Sequence, residues 1–236
     1  MYIKDGKIAR VTADDSERAE RRVLLRPNQF LLPAATDLHV HLRDWNQAYK
    51  ETVESGTKAA LSGGITTIAE MPNTDPRLDT TESVRRRIKL LRERSYVDFA
   101  VHAGVPERVS ELERMQAAGS FAVKIYPQEM PRFREVARMA ESLGMKITVH
   151  AEVGAMIGTS GEPLAEVECV KGLLSHVGRG MNVRFAHIST VAAAALIIRK
   201  RREGVNMRME VTPHHLFMTR LLSASRIGLA SSVRPP

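Results

Sequence analysis

Two histidines and an arginine alternate with apolar residues along a short segment that begins at Asp37. Side chains alternate between the two faces of a β-strand, so His39, His41 and Arg43 would share one face of a strand here. Neighbouring imidazoles can hold a transition metal, and the guanidinium beyond them can grip an anion. A His-x-His pair is a weak signal by itself, so its meaning depends on what the rest of the chain supplies.

Other polar residues with suitable chemistry stand near the ends of further strand-like segments: Asn73, Lys124, His150, Glu152, His187, His214 and His215. The carboxyl ends of parallel strands meet at one edge of a barrel, which predicts that these side chains lie together. The alternative, in which local hydrogen bonds satisfy each histidine separately, explains their recurrence less well. Lys124 could instead pair with a carboxylate, and Glu152 could either orient a metal ligand or cap a helix.

The elements that would position these residues alternate between strand and helix patterns. Strands are predicted to start near Ala35, Ile65, Tyr96, Phe121, Lys146, Asn182 and Met207. Asp79 and Glu82 are spaced as a helix N-cap and its capping partner, and a helix is predicted from Val191 to Arg202, before Gly204. This alternation is typical of the α/β class and predicts a (β/α)8 TIM-like barrel. A complete barrel needs roughly 250 residues and eight strands. About 200 residues follow the first 34, and seven strands are predicted in them, so we expect an incomplete barrel.

The first 34 residues differ from this pattern and predict a small β-rich appendage, part of a composite β domain. A hairpin is expected over residues 2–8, because Asp5-Gly6 is a favoured two-residue hairpin turn. Further short strands are expected at two apolar pairs, Leu24-Leu25 and Phe30-Leu31. The chain is therefore predicted to divide into residues 1–34 and a barrel of residues 35–236.

The composition is that of a globular protein and excludes several functions. The formal net charge of +8 indicates either an arginine-rich solvent-exposed face or an anionic substrate or partner. The basic clusters 85–87 and 199–202 lie within helix patterns and lack interleaved aromatic residues, so nucleic-acid binding is not expected. The apolar run 191–198 is too short to span a membrane, and no secretory signal is visible. The single cysteine, Cys169, suits a reducing compartment such as the cytoplasm.

Taken together, the motifs of this chain resemble those of the amidohydrolase superfamily. In finer detail they are similar to dihydroorotases of the longer, type I class, in the archaeal branch. The segments that carry the resemblance are residues 37–44, 63–67, 71–74, 123–126, 150–152, 186–189 and 211–216. The resemblance covers essentially the whole chain. It implies the reversible cyclisation of N-carbamoyl-L-aspartate to L-dihydroorotate, a step of de novo pyrimidine biosynthesis.

The resemblance also implies a binuclear zinc (Zn2+) site. Its metal ligands would be His39 and His41 on the first ion, His150 and His187 on the second, and a carboxylated Lys124 as the bridge. An unmodified lysine ammonium cannot bind a metal, whereas a carbamate offers two anionic oxygens. Arg43 and Asn73 would contact the small-molecule substrate, whose carboxylate suits a guanidinium.

One part of the family pattern has no counterpart in this sequence. The family's eighth strand carries an aspartate that binds one metal and transfers a proton, so we identify no catalytic residue here. We expect a barrel truncated before strand eight, with unpaired edge strands and a first metal that lacks a ligand.

Three functions remain open from the sequence. The chain could be a truncated, poorly active dihydroorotase, or a non-catalytic dihydroorotase-like scaffold for another enzyme of the pathway. It could also be a cyclic amidase of the hydantoinase or allantoinase type, because these relatives share the metal ligands. Unpaired edge strands would also suit a homo-oligomer or another protein partner.

Overall fold

The computed structural model describes residues 1–14, 16 and 18–217. The chain divides into two units, Met1–Pro33 and Ala34–Pro236, and the description of the second ends at residue 217. In this part of the chain, no helix is both long enough and apolar enough to cross a membrane.

The first unit contains the predicted antiparallel hairpin, formed by β1 (Tyr2–Lys4) and β2 (Lys7–Arg10). Its turn residues Asp5 and Gly6 have φ angles of 51° and 72°, the left-handed region that such a turn requires. The prediction of short strands at two further pairs is wrong, because these residues lie in exposed loop without a strand beside them: Leu24-Leu25 and Phe30-Leu31.

The second unit is built on a parallel sheet whose seven strands, within the described residues, pair in chain order. They are β3 (Ala35–Val40), β4 (Ile65–Glu70), β5 (Asp98–Ala103), β6 (Ser120–Ile125), β7 (Lys146–Val149), β8 (Val183–Phe185) and β9 (Met207–Met209). Each begins within two residues of its predicted start. A hydrogen bond between His39, on edge strand β3, and Glu210, directly after edge strand β9, shows that the sheet curls. The predicted incomplete TIM-like barrel is confirmed as a half-barrel.

Helices connect the strands. They are α1 (Val53–Ser62), α2 (Thr81–Arg94), α3 (Glu111–Ala117), α4 (Phe133–Ser142), α5 (Glu162–Leu174), α6 (Val191–Arg202) and α7 (Pro213–Phe217). Helix α6 has the predicted bounds, and Gly204 closes it with a φ of 86°. The predicted N-cap Asp79 is wrong by one residue. The hydroxyl of Thr80 accepts the Ser83 N–H at 3.1 Å, and Ser83 accepts the Thr80 N–H at 3.2 Å, so two hydroxyls form the capping box.

The two faces of the sheet differ in chemistry. Fully or almost fully buried apolar residues on one face join the core formed with the helices: Ile68, Val101, Val123, Ile147 and Val183. Strand pairing places polar residues on the other face: His102, Lys124, Thr148 and Arg184. The packed core therefore holds the backbone of the polar face rigidly, as a positioned set of functional side chains needs.

Candidate metal centre

His39 lies in β3 and His41 follows its end, with 5.3 Å between the ring centroids. His39 donates from Nδ1 to Glu210 Oε2 at 2.9 Å, and His41 donates from Nδ1 to Asn73 Oδ1 at 2.7 Å. A neutral imidazole that donates from Nδ1 keeps Nε2 as an acceptor, so both rings offer Nε2 to a ligand.

His150 and His187 complete a cluster of four histidines. The His187 ring packs edge-on against the His150 ring at 4.3 Å and lies 5.3 Å from the ring of His39, centroid to centroid. His187 has a φ of 37°, a left-handed conformation that is strained for a residue other than glycine. Nε2 of His150 contacts the carboxylate of Glu152, whose side chain is almost fully buried. Strand ends distant in sequence thus converge on one group of imidazoles.

Three histidines of the cluster, His39, His41 and His187, are held in the uncharged form that metal binding requires. Burial lowers the pKa of His41 to about 3, helped by the nearby His39. Burial likewise lowers the pKa values of His39 and His187 from their ordinary range. In the conformation shown, no three His, Cys, Asp or Glu side chains of the described residues are arranged to hold a metal ion.

Lys124 is fully buried beside this cluster, and its amine has no hydrogen-bond partner in the described part of the chain. Burial lowers the pKa of the amine from 10.5 to about 7, a shift that the charge of Glu210 partly opposes. The alternative of an ion pair between Lys124 and a carboxylate is not observed among the described residues. A buried polar group without a partner is costly, so this amine calls for a further group.

Glu210 was not singled out from sequence, although it directly follows β9 and so stands at the predicted end of the barrel. Its Oε1 accepts a hydrogen bond from Arg184 Nη1 at 3.1 Å, in addition to the bond from His39. Burial would raise its pKa, but the hydrogen bond from His39 and the neighbouring positive charges outweigh burial and lower it. The position directly after a strand end was the available signal for Glu210.

Arg43 lies in the same region, but its backbone does not have the strand conformation that the sequence predicts. Strand β3 ends at Val40, and Arg43, Asp44 and Trp45 then have φ angles of 53°, 59° and 48°. The Asp44 carboxylate stabilises this turn by accepting the N–H groups of Trp45 at 2.7 Å and Val53 at 2.9 Å. Such strain is typical of functional sites.

The turn places Arg43 beside Asn73, the other residue predicted to contact substrate. Arg43 Nη1 donates to the backbone oxygen of Asn73 at 3.2 Å. Because Asn73 uses its side-chain oxygen for His41, its amide nitrogen remains to donate to a ligand. Both residues therefore lie next to the histidines, in reach of a molecule bound there.

A cavity of about 570 Å3 adjoins the cluster and is bordered by both edges of the sheet. His39, His41, His187 and Glu210 line it, and so do His214 and His215. Its size suits a small molecule.

His102, in contrast, is a structural histidine. It donates from Nδ1 to the Glu70 carbonyl at 2.9 Å and accepts from the Thr148 hydroxyl at 3.1 Å.

Comparisons with known proteins indicate the family and the fold of this chain. The family model described as "Amidohydrolase family" matches residues 30–230. A dihydroorotase of Thermococcus kodakarensis is 35% identical over 228 residues, which cover 92% of this chain and 53% of the relative. A dihydroorotase of Pyrococcus furiosus is 31% identical over 227 residues, which cover 92% and 52%. The chain thus spans about half the length of the curated relatives that it matches.

Among solved structures, an L-hydantoinase (dihydropyrimidinase) from Arthrobacter aurescens superposes with a TM-score of 0.78 at 27% identity. The match covers 86% of this chain and 52% of that chain. A structure of D-hydantoinase, 21% identical with a TM-score of 0.73, shares the fold.

Proposed function

Because this chain belongs to the amidohydrolase family, we propose that its histidine cluster binds two zinc ions and serves the dihydroorotase reaction. That reaction is the reversible cyclisation of N-carbamoyl-L-aspartate to L-dihydroorotate. The observation that carries the proposal is the convergence of four histidine rings, three of which (His39, His41 and His187) interact electrostatically with the buried, unpartnered amine of Lys124. Relatives named dihydroorotase, 31% and 35% identical over 92% of the chain, support the choice of substrate.

The proposed ligands are His39 and His41 for one zinc ion, His150 and His187 for the other, and Lys124 as the bridge. Nitrogens that the described residues leave available support this assignment. Nε2 remains on His39 and His41, Nδ1 of His187 has no partner, and the Glu152 contact of His150 uses only Nε2. When bound, zinc would lower the pKa of a water molecule and polarise an amide carbonyl.

Lys124 would have to become a carbamate to act as the bridge. With a pKa of about 7, a large fraction of its amine is uncharged and nucleophilic near neutral pH. The nitrogen lone pair forms a bond to the carbon of carbon dioxide, one C=O π pair moves to oxygen, and the nitrogen releases one proton to water. The product, a carbamate, carries one negative charge shared by two oxygens. These oxygens are acceptors that can bind cations, whereas the unmodified amine is a donor without a partner among the described residues.

Arg43 and Asn73 would orient the substrate. A guanidinium can bind a carboxylate through two parallel hydrogen bonds, and N-carbamoyl-L-aspartate and L-dihydroorotate both carry carboxylates. The bond from Arg43 to the Asn73 backbone keeps the two side chains together, so a carboxylate and its adjoining amide could be held at once. Such positioning lowers the entropic barrier to ring closure.

The superposition with an L-hydantoinase favours a second candidate, a cyclic amidase for neutral rings. A hydantoin without a carboxylate would leave the charge of Arg43 without its counterpart, which argues against it. A non-catalytic scaffold is weaker still. It would gain nothing from a buried, unpartnered lysine amine beside four histidines, an arrangement that costs folding free energy.

Isothermal titration calorimetry on the zinc-loaded chain distinguishes the three candidate functions. We expect N-carbamoyl-L-aspartate and L-dihydroorotate to bind, and hydantoin and allantoin to bind at least tenfold more weakly, about 1.4 kcal/mol. Tighter binding of hydantoin would favour the second candidate. If the zinc-loaded protein binds none of the four compounds, the proposal is wrong and the scaffold is the candidate that is left.

A further inference from the structure

Glu210 is held in place by its own backbone. Its N–H donates to the Phe185 carbonyl at 2.9 Å, and its carbonyl accepts the N–H of Ile188 at 2.8 Å. Phe185 lies two residues before His187 in the sequence, and Ile188 directly follows it. The carboxylate therefore starts from a fixed point between β8 and the residues that follow it.

The two oxygens of that carboxylate have different partners. Oε2 accepts from His39 Nδ1 at 2.9 Å, and Oε1 accepts from Arg184 Nη1 at 3.1 Å. The side chains of all three residues are less than one fifth exposed. Arg184 thereby restrains the carboxylate from rotating away from the imidazole.

The ring of His41 is held in a similar way, by an oxygen acceptor that an arginine restrains. Its Nδ1 donates to the Asn73 side-chain oxygen, and Asn73 is tied by a hydrogen bond from Arg43. Each imidazole of the His-x-His pair thus has an oxygen acceptor, and an arginine bonds the residue that supplies that acceptor.

We propose that Glu210 is a positioning residue that fixes His39 as the Nδ1–H tautomer and turns Nε2 towards the metal centre. An ionised carboxylate only accepts hydrogen bonds, so it can pair with His39 Nδ1 only when that nitrogen carries the proton. Histidine ligands commonly donate their second N–H to a carboxylate, which orients the ring and strengthens it as a ligand. This inference rests on the proposed zinc site and assigns a role to a residue outside its ligand set.

Glu210 also joins the two edges of the described sheet. His39 belongs to β3 and Glu210 follows β9, and 171 positions separate them in the sequence. The bond therefore links the orientation of a metal ligand to the curl of the half-barrel. A purely structural role for this bond would affect stability without affecting zinc affinity, which makes the two roles separable.

Glu210→Gln tests the inference with little change of shape. Gln can still accept from Arg184, but its NH2 group then faces His39 Nδ1, which favours the Nε2–H tautomer. In the metal-free protein, long-range 1H–15N NMR of the histidine rings should show His39 protonated at Nδ1 in the parent and at Nε2 in the variant. Zinc affinity, measured by competition with a chelating dye, should fall about 10- to 100-fold.

Glu111→Gln is the matched control, because Glu111 accepts from the Thr81 N–H at 2.8 Å and hydroxyl at 3.0 Å, between two helices. It should leave zinc affinity and the His39 tautomer unchanged. If Glu210→Gln keeps both the parent tautomer and the parent zinc affinity, the inference is wrong even though the zinc site stands. If the parent itself binds no zinc, the proposed function fails, and the NMR comparison still decides whether Glu210 sets the tautomer.

Discussion

At the scale of single residues, the hydrogen bond that a histidine already makes determines which nitrogen is left for a ligand. His39 and His41 both use Nδ1, through Glu210 and Asn73. Sequence motifs identified the histidines but not the acceptor of His39, because an acceptor from another strand carries no signature in a local pattern. Asn73 was expected to bind substrate, and the structure shows that it also orients a candidate ligand.

The role proposed for Arg43 predicts a loss of substrate affinity. Arg43→Gln should weaken binding of N-carbamoyl-L-aspartate by about 1.5–3 kcal/mol, because hydrogen bonds to a charged carboxylate are lost. Calorimetry on the zinc-loaded variant measures this change. Arg85→Gln, on the exposed side of α2, serves as the control and should bind like the parent. Equal affinity in the Arg43 and Arg85 variants would remove Arg43 from the site.

The ligand assignment of His150 predicts a loss of metal. His150→Ala should bind less zinc than the parent, because the second ion would lose one of its two imidazoles. Metal analysis after dialysis gives the content per chain. His176→Ala is the control, since His176 pairs with Arg134 outside the cluster. Unchanged zinc content in the His150 variant would refute the assignment.

At the scale of elements, the sequence predicted the parallel strands well, because buried parallel strands are continuous apolar runs between helix patterns. It failed where the backbone leaves regular geometry. The left-handed run at Arg43, Asp44 and Trp45 depends on the Asp44 carboxylate reaching the N-terminus of α1. The prediction of strands at the two apolar pairs of the first unit was also wrong, because a strand needs a neighbouring backbone as well as suitable side chains.

His102 provides a prediction about pH, because it is a buried residue of β5 whose ring forms hydrogen bonds with residues of β4 and β7. Burial lowers its pKa from 6.5 to about 3, so the ring stays neutral in the folded protein down to this pH. The unfolded chain therefore binds more protons between these pH values, and the free energy of unfolding falls as pH drops from 6.5 towards 3. The slope is at most about 1.4 kcal/mol per pH unit for one group.

Urea unfolding of the metal-free protein across this range measures the effect. His102→Gln keeps an amide that can donate to the Glu70 carbonyl but removes the titrating ring. Its stability should decline less steeply with acid than that of the parent. Parallel pH profiles for the two proteins would show that His102 does not contribute.

At the scale of the whole molecule, the sheet formed by the described residues has two edge strands, β3 and β9, and the chain spans about half the length of its dihydroorotase relatives. The carboxylates that contact the cluster in the described residues are already engaged. Asp37 accepts the His39 N–H at 2.9 Å, Glu152 contacts His150, and Glu210 holds His39 and Arg184. None of these three is left to exchange a proton with the substrate nitrogen.

Because these three carboxylates have other partners, we expect the chain of residues 1–236 to bind substrate but to cyclise it slowly. Absorbance of L-dihydroorotate in a stopped assay with the zinc-loaded protein checks this. A turnover of about 1 s−1 or faster, an ordinary enzyme rate, would show that the chain supplies its own proton-transfer group.

The central claim is that Lys124 becomes a carbamate that bridges two zinc ions, and native mass spectrometry tests it most directly. Protein incubated with zinc and bicarbonate should gain the mass of one carbon dioxide and two zinc ions. Lys124→Ala should lose the carbon dioxide and at least one zinc ion, whereas Lys146→Ala, at the exposed start of β7, should behave like the parent. Zinc binding without the carbon dioxide adduct in the parent, or an adduct that persists in Lys124→Ala, would contradict the claim.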